Sequence, residues 1–167
     1  FRNRIEGPIL VDPADLPRLK ALETVPVLRP ALAAAPVLGQ RLGPERMAAA
    51  GRWPAIATAA GAFALGSGFP AGAAAPFSGI AAAVAAGGAG DGNGQGLTVA
   101  QAIAGHTRSA AFAGHAEQEL GSLEPGQWAD FILVDRDPFA VPAAELGLIN
   151  VLETWVAGRR VFQRPRP

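Results

Sequence analysis

Short apolar runs alternate with apolar positions at helical spacing in the first part of the chain. Residues 2–10 alternate and predict a strand. The run Asp12-Pro13-Ala14-Asp15 predicts a helix start with Asp12 as N-cap, and leucines 16, 19 and 22 follow near helical spacing. Residues 24–28 (TVPVL) then predict a short strand, which Pro26 weakens.

The same alternation continues as far as residue 86. A helix is predicted to open at Gly43-Pro44, to be split by Pro54 and to end near Gly61. Residues 62–65 (AFAL) predict a small buried strand, residues 66–70 a turn, and residues 77–86 a short alanine-rich helix. We expect parallel βα units from this order of elements.

The remainder of the chain changes from glycine-rich to β-rich. Residues 87–96 (GGAGDGNGQG) predict a flexible loop, and Thr98 is expected to cap a helix that runs to Ala113. Residues 128–135, 150–156 and 159–163 predict strands, and Ala157-Gly158 predicts a hairpin turn between the last two. The fold class predicted from the pattern is therefore α/β with a terminal β segment.

Composition and charge exclude several kinds of protein. The chain has 167 residues, half of them hydrophobic, which suffices for one core of ordinary size. The 14 basic and 14 acidic residues balance, so we predict no nucleic-acid partner, because such a binder needs a basic surplus. The absence of cysteine excludes disulfides and thiolate zinc ligands.

A run without charge spans residues 53–90 and raises the question of a membrane span. It consists mainly of alanine and glycine and is broken by three prolines, so we predict core packing and no membrane partner. The chain begins with Phe1 and shows no apolar signal segment. We expect a piece of a longer protein or a processed product, located in the cytoplasm.

The chemical inventory is sparse. His106 and His115 are nine residues apart, about half a turn out of phase on a helix, so ordinary histidines are expected rather than metal ligands. Residues 91–96 (DGNGQG) resemble the start of a calcium loop, but Ala102 stands at the twelfth position, where that loop needs a carboxylate.

The turn after the third predicted strand offers two further motifs, and both are incomplete. Residues 66–71 (GSGFPA) fit a loose dinucleotide-binding pattern, but Gly72 and Pro76 interrupt the long helix that should follow. Ser67 does not form a nucleophile elbow, because Leu65 replaces the first glycine of that motif. From the residues alone, we predict no catalytic, cofactor-binding or metal-binding set.

The last third of the chain carries a specific string of residues. Residues 121–126 (GSLEPG) and 129–138 (ADFILVDRDP) resemble the closing segment of metal-dependent amidohydrolases, in particular the amidohydrolase-3 group of deacetylase-like and formamide-deformylase-like enzymes. Further upstream, residues 66–70 (GSGFP) resemble the family's GSDFP, and residues 4–7 (RIEG) resemble its RIEH. These pieces occur in the family's order, so the resemblance covers nearly the whole chain.

The resemblance implies a partial TIM-type (β/α) barrel, its last three βα units, followed by strands of a small β-sandwich. Barrel strands six to eight would be residues 2–7, 25–28 and 63–67. The implied organisation is a barrel segment at 1–96 with the glycine-rich loop at its end, a helical connection at 97–120, and a sandwich segment at 121–167.

The resemblance also indicates where the metal site should be, and there this sequence departs from the family. The family's histidine on strand six falls at Gly7, and its aspartate on strand eight, a ligand and proton shuttle, falls at Gly68. A further histidine after strand seven falls at Leu32, within the string Arg29-Pro30-Ala31-Leu32. The family would use zinc or another divalent metal, and we predict no such cofactor here.

Two functions follow from this comparison. The family's activity is hydrolysis of non-peptide C–N bonds by a metal-activated water, and we expect this chain to be an inactive C-terminal fragment or degenerate paralogue, a pseudoenzyme. The alternative is a non-catalytic subunit that completes a barrel with another chain or with copies of itself. A copurifying partner would favour the subunit.

Overall fold

Three parallel strands form the first sheet. The computed structural model describes residues 2–85 and 96–165, and in it β1 (Arg4–Glu6), β2 (Val25–Leu28) and β3 (Ala64–Leu65) pair in that order. The central strand β2 is apolar and largely buried, as expected where both faces are covered. All three predicted strands are confirmed, although β1 is shorter than residues 2–10 because Gly7 adopts a φ of 63° and Pro8 follows.

The described residues also form α-helices and one 3-10 helix. In chain order they are α1 (Leu16–Ala21), α2 (Pro30–Ala33), α3 (Pro36–Ala49), α4 (Trp53–Ala60), α5 (Pro76–Ala85), α6 (Val99–His106), α7 (Arg108–Ala113) and the 3-10 helix Ala143–Leu148. Among the described residues, none of the helices is long and apolar enough to cross a membrane.

The first predicted helix starts later than expected. Asp12 does not cap it: its carboxylate accepts a hydrogen bond from the Ala14 amide at 2.9 Å, within a turn. Helix α1 begins at Leu16, after Asp15. The reason is Pro17, which lacks an amide hydrogen and is tolerated only in the first turn of a helix.

The middle of the chain holds more helix than its pattern indicated. Helices α2 and the first half of α3 were not predicted. Gly43, with φ 74° and ψ 168°, kinks α3, so the helical stretch expected from Gly43-Pro44 is its second half. The predicted end near Gly61 is confirmed, since Gly61 adopts the left-handed conformation after α4.

Helix α6 begins with the predicted cap. The Thr98 hydroxyl accepts a hydrogen bond from the Gln101 amide, and the Gln101 side chain accepts one from the Thr98 amide. The expected single helix to Ala113 is instead two, because Thr107 has non-helical angles of −119° and −105°. The predicted loop at 87–96 lies, except for Gly96, outside the described residues.

The larger of two apolar clusters among the described residues joins the sheet to the helices. Its largest fully buried apolar side chains include Trp53, Leu28 and Ile56. Leu146 of the 3-10 helix is also fully buried in this cluster, beside residues of α5 and α6. The end of the chain therefore contributes to the same core as the parallel sheet.

A second sheet, which is antiparallel, closes the chain. Strands β4 (Phe131–Val134), β5 (Val151–Val156) and β6 (Arg159–Gln163) pair in that order, and the rings of Phe131 and Trp155 stack at 5.4 Å. Ala157 and Gly158, both with positive φ, form the predicted hairpin turn. The mixed α/β class is thus confirmed.

Candidate functional site

The carboxyl ends of the three parallel strands meet at one edge of the sheet. Gly7 follows β1, Arg29 follows β2, and Gly68 lies three residues beyond β3. Backbone hydrogen bonds hold these exits together: the Gly7 amide donates to the Val27 carbonyl at 2.9 Å, and the Gly66 amide donates to that of Leu28 at 3.0 Å. In α/β folds this edge is where functional side chains collect.

The Arg29 side chain lies across both glycines. A Cβ atom on Gly68 would stand 2.9 Å from Nη1 of Arg29 and 3.0 Å from its Cδ and Cζ. A Cβ atom on Gly7 would stand 3.3 Å from Cδ of Arg29. Both glycines also have left-handed backbones, with φ of 63° and 66°, which other residues rarely adopt. The glycines therefore make room for the arginine.

The charge at this edge is positive. Nη2 of Arg29 donates to Oε2 of Glu6 at 3.0 Å, and Nε of Arg4 lies 3.7 Å from the other oxygen of the same carboxylate. Two guanidinium groups thus share one carboxylate. Nε of Arg29 is buried and has no hydrogen-bond partner, although the side chain as a whole is 26% exposed.

The residues at this edge do not fit a divalent metal. Gly7 and Gly68 have no side chain to donate, and Leu32, in α2, is apolar. Within residues 2–85 and 96–165 there is no group of three His, Cys, Asp or Glu side chains that could hold a metal. The guanidinium of Arg29 would in addition repel a dication.

The two histidines lie apart from this edge and in different surroundings. His106, the last residue of α6, is partly buried, and its Nε2 would be 3.1 Å from a Cβ on Gly79 of α5. This Nε2 atom has no hydrogen-bond partner. His115 is exposed, beyond the end of α7, and its Nδ1 lies 2.8 Å from a guanidinium nitrogen of Arg2. The expectation that neither is a metal ligand stays a prediction.

Burial of His106 should make the stability of the chain depend on pH. Burial lowers the pKa of His106, so the folded state favours the neutral ring. Protonation of His106 therefore opposes folding. The free energy of unfolding is not reduced above about pH 6.5, the histidine pKa in the unfolded chain, and it decreases as the pH falls below that value. We expect urea denaturation to give a lower free energy of unfolding at pH 5.5 than at pH 7.5, by up to about 1.4 kcal/mol for each pH unit.

Two variants separate this histidine from the other titrating groups. His106→Leu should reduce the difference in the free energy of unfolding between pH 7.5 and pH 5.5, whereas His115→Asn should leave this difference unchanged. If the difference is unchanged in His106→Leu, the pH dependence comes from another titrating group.

The turn after β3 is not a nucleotide site of the kind its sequence suggested. The Ser67 hydroxyl accepts a hydrogen bond from the Phe69 amide at 3.2 Å, and the Ala71 amide donates to the Gly68 carbonyl. The next helix, α5, begins only at Pro76, so no helix N-terminus follows the turn directly. The calcium-like segment at 91–96 lies outside the described residues, except for Gly96.

The conspicuous C-terminal string has structural contacts. Oδ1 of Asp130 accepts a hydrogen bond from the Ala157 amide at 2.7 Å, which fastens the hairpin turn to the start of β4. Asp135 accepts from the amide and the side chain of Asn150 at 2.9 and 2.8 Å, and these bonds lower the pKa of its carboxyl group. These carboxylates hold loops in place and do not line the edge at Arg29.

The sequence pattern of the amidohydrolase family matches residues 2–162. The chain belongs to that family. Among curated proteins it is similar to YtcJ of Bacillus subtilis (strain 168), a protein named as an amidohydrolase, with 31% identity over 130 residues. That match covers 74% of this chain but only 25% of YtcJ.

Solved structures of amidohydrolase-type proteins share the fold. A metal-dependent hydrolase from Pyrococcus horikoshii OT3 is 28% identical, with a TM-score of 0.71, and the match covers 86% of this chain and 30% of that one. An adenosine deaminase from Xanthomonas campestris with bound zinc is 20% identical, with a TM-score of 0.71, over 95% of this chain and 37% of that one. The chain thus spans between a quarter and two fifths of these relatives.

Sequence reasoning missed Arg29 as the principal group at this edge. It was noted only as part of a string that aligns with the family. The available signal was its position: a charged residue directly after a buried parallel strand lies at the edge where such folds place their functional groups.

Proposed function

We propose that this chain alone does not hydrolyse amides. The observation that supports the proposal is the Arg29 side chain lying between Gly7 and Gly68, where the family resemblance expects a histidine and an aspartate. An arginine supplies neither a metal ligand nor a proton acceptor at neutral pH. In this proposal the chain is a C-terminal fragment or a degenerate member of a family of hydrolases for non-peptide C–N bonds.

The architecture in this proposal is a partial (β/α) barrel with part of a sandwich. The parallel order β1, β2, β3 with intervening helices supports three consecutive barrel units, and the sheet β4 to β6 supports the sandwich segment. The boundaries at 96 and 120, a cytoplasmic location and the absence of a nucleic-acid partner stay predictions.

Metal content tests the proposal. We expect elemental analysis of protein purified without chelator to find no stoichiometric zinc or other transition metal, because the described residues offer no group of three ligands. The same preparation, with and without added zinc, should not hydrolyse N-acyl amino acids or formamides. One equivalent of bound zinc would contradict the prediction of no metal, and zinc-dependent turnover would contradict the proposal that the chain is inactive.

A second candidate is a non-catalytic subunit that completes its barrel and sandwich with another chain. Exposed apolar side chains on both sheets favour it: Ile5 on β1 is 44% exposed, and Val161 on β6 is 61% exposed. A protein that copurifies in fixed proportion and lowers the exposure of these residues to solvent would favour this function over the first.

A further inference from the structure

We propose that the edge formed by Gly7, Arg29 and Gly68 binds a small oxyanion, a carboxylate or phosphate group, through the guanidinium of Arg29. This site goes beyond the proposed function, since it needs neither metal nor hydrolysis. Three features of the edge support it: the position of Arg29, its partly unused donors and the balance of charge.

The position of Arg29 is fixed by its neighbours. It directly follows the buried central strand, and its side chain extends over the two glycines that follow the flanking strands. A Cβ atom on Gly68 would come within 3.0 Å of the guanidinium carbon, so a side chain there would displace the group. The two glycines thus leave room for the guanidinium group, and the Arg29 side chain stays 26% exposed at this edge.

The donors of Arg29 are only partly used. A guanidinium has five N–H bonds, and here Nη2 donates to Glu6 whereas Nε is buried without an acceptor. A buried N–H without a partner is costly. If this partly exposed side chain turns slightly, an oxyanion bound across Nε and Nη1 would relieve that cost. Bidentate binding of this type is the geometry in which arginine recognises carboxylates and phosphates.

The charge of the edge leaves Arg29 able to attract an anion. Glu6 is the one carboxylate paired with Arg29 among the described ion pairs, and Arg4 shares it at 3.7 Å. Two cations against one anion give a surplus positive charge at this edge. Glu6, with its side chain 44% exposed, can also turn toward solvent when a ligand carboxylate replaces it.

Anion titrations of the intact chain test the site. Sodium phosphate, acetate and sulfate are added separately at constant ionic strength set with chloride, and binding is followed by backbone amide chemical shifts. We expect saturable shifts at Gly7, Gly66 and Gly68 with at least one anion. Acetate binding more tightly would indicate a carboxylate ligand, and phosphate binding more tightly a phosphate group.

Variants distinguish this site from general surface charge. Arg29→Gln should weaken binding by roughly tenfold or more, since hydrogen bonds to a charged group are lost, and Gly68→Ala should weaken it by displacing the guanidinium. Glu6→Gln should strengthen binding by removing the competing carboxylate. Arg18→Gln is the matched control, because it removes an arginine paired with Asp15 at 2.6 Å on α1 and should leave binding unchanged.

Three results would overturn the proposal. The first is the absence of a saturable chemical-shift change with any of the three anions. The second is an anion affinity of Arg29→Gln equal to that of the unchanged chain. The third is an equal loss of anion affinity in Arg29→Gln and Arg18→Gln. Circular dichroism of each variant checks that the fold is retained. Zinc content and hydrolysis are measured in separate experiments. If the chain proves to be a zinc-dependent hydrolase, that result is therefore distinguishable from an absence of anion binding.

Discussion

Changing Gly7 to His together with Gly68 to Asp should give a less stable protein without hydrolase activity. Both positions have left-handed backbones, which cost roughly 1–2 kcal/mol each for residues other than glycine. The new Cβ atoms would also press on Arg29, at 2.9 Å from Gly68 and 3.3 Å from Gly7. Chemical denaturation should therefore show a loss of roughly 2–4 kcal/mol.

Activity should not follow from introducing two ligands. Two side chains do not fix a metal in the geometry that hydrolysis requires, and Arg29 would still place a positive charge beside them. Assays with N-acyl amino acids and formamides, with and without zinc, should show no turnover by Gly7→His/Gly68→Asp. Metal-dependent turnover by this variant would contradict the interpretation.

A third substitution identifies the part played by Arg29. The triple variant with Arg29→Gln should regain part of the lost stability, because the shorter neutral side chain relieves the contact with the new Cβ atoms. Arg18→Gln in the same double-variant background is the control, and it should regain none. Equal stability of the triple and double variants would show that the loss comes from the backbone conformation alone.

The sequence predicted the elements whose signals are local. The β2 run VPVL, the Thr98 cap and the Ala157-Gly158 turn each follow from the residues that form them. Local signals were misleading at prolines, because proline occurs both in turns and in the first turn of a helix. Asp12-Pro13 resembled a helix start, but Pro17 moved the start of α1 to Leu16. Pro30 and Pro36 each open a helix that the pattern did not indicate.

The candidate site depended on contacts that no local pattern contains. Gly7, Arg29 and Gly68 are far apart in the sequence, and only the parallel pairing of their strands brings them together. The family resemblance indicated what was missing at the two glycines. It did not indicate that the arginine directly after the strand between them lies against both glycines, because that depends on side-chain direction.

The isolated chain should associate with copies of itself or be loosely packed. Strand β1 has exposed residues throughout and pairs only with β2 among the described strands, and all residues of β6 are exposed. An unpaired strand edge with apolar side chains invites pairing with another chain. Light scattering coupled to size-exclusion chromatography should give a mass at least twice that of the 17.0 kDa chain, or a thermal melt should show a broad transition.

Two charge substitutions identify the sheet that mediates association. Ile5→Lys places a charge on β1, and Val161→Lys places one on β6, at side chains that are already 44% and 61% exposed. Because neither side chain is in the core, the folded chain should tolerate both substitutions. The substitution on the sheet that mediates association should abolish association, and the other should leave it unchanged. If the chain is monomeric at all concentrations and melts in one sharp transition, its three parallel strands form a closed core without a partner, and the expectation of association is wrong.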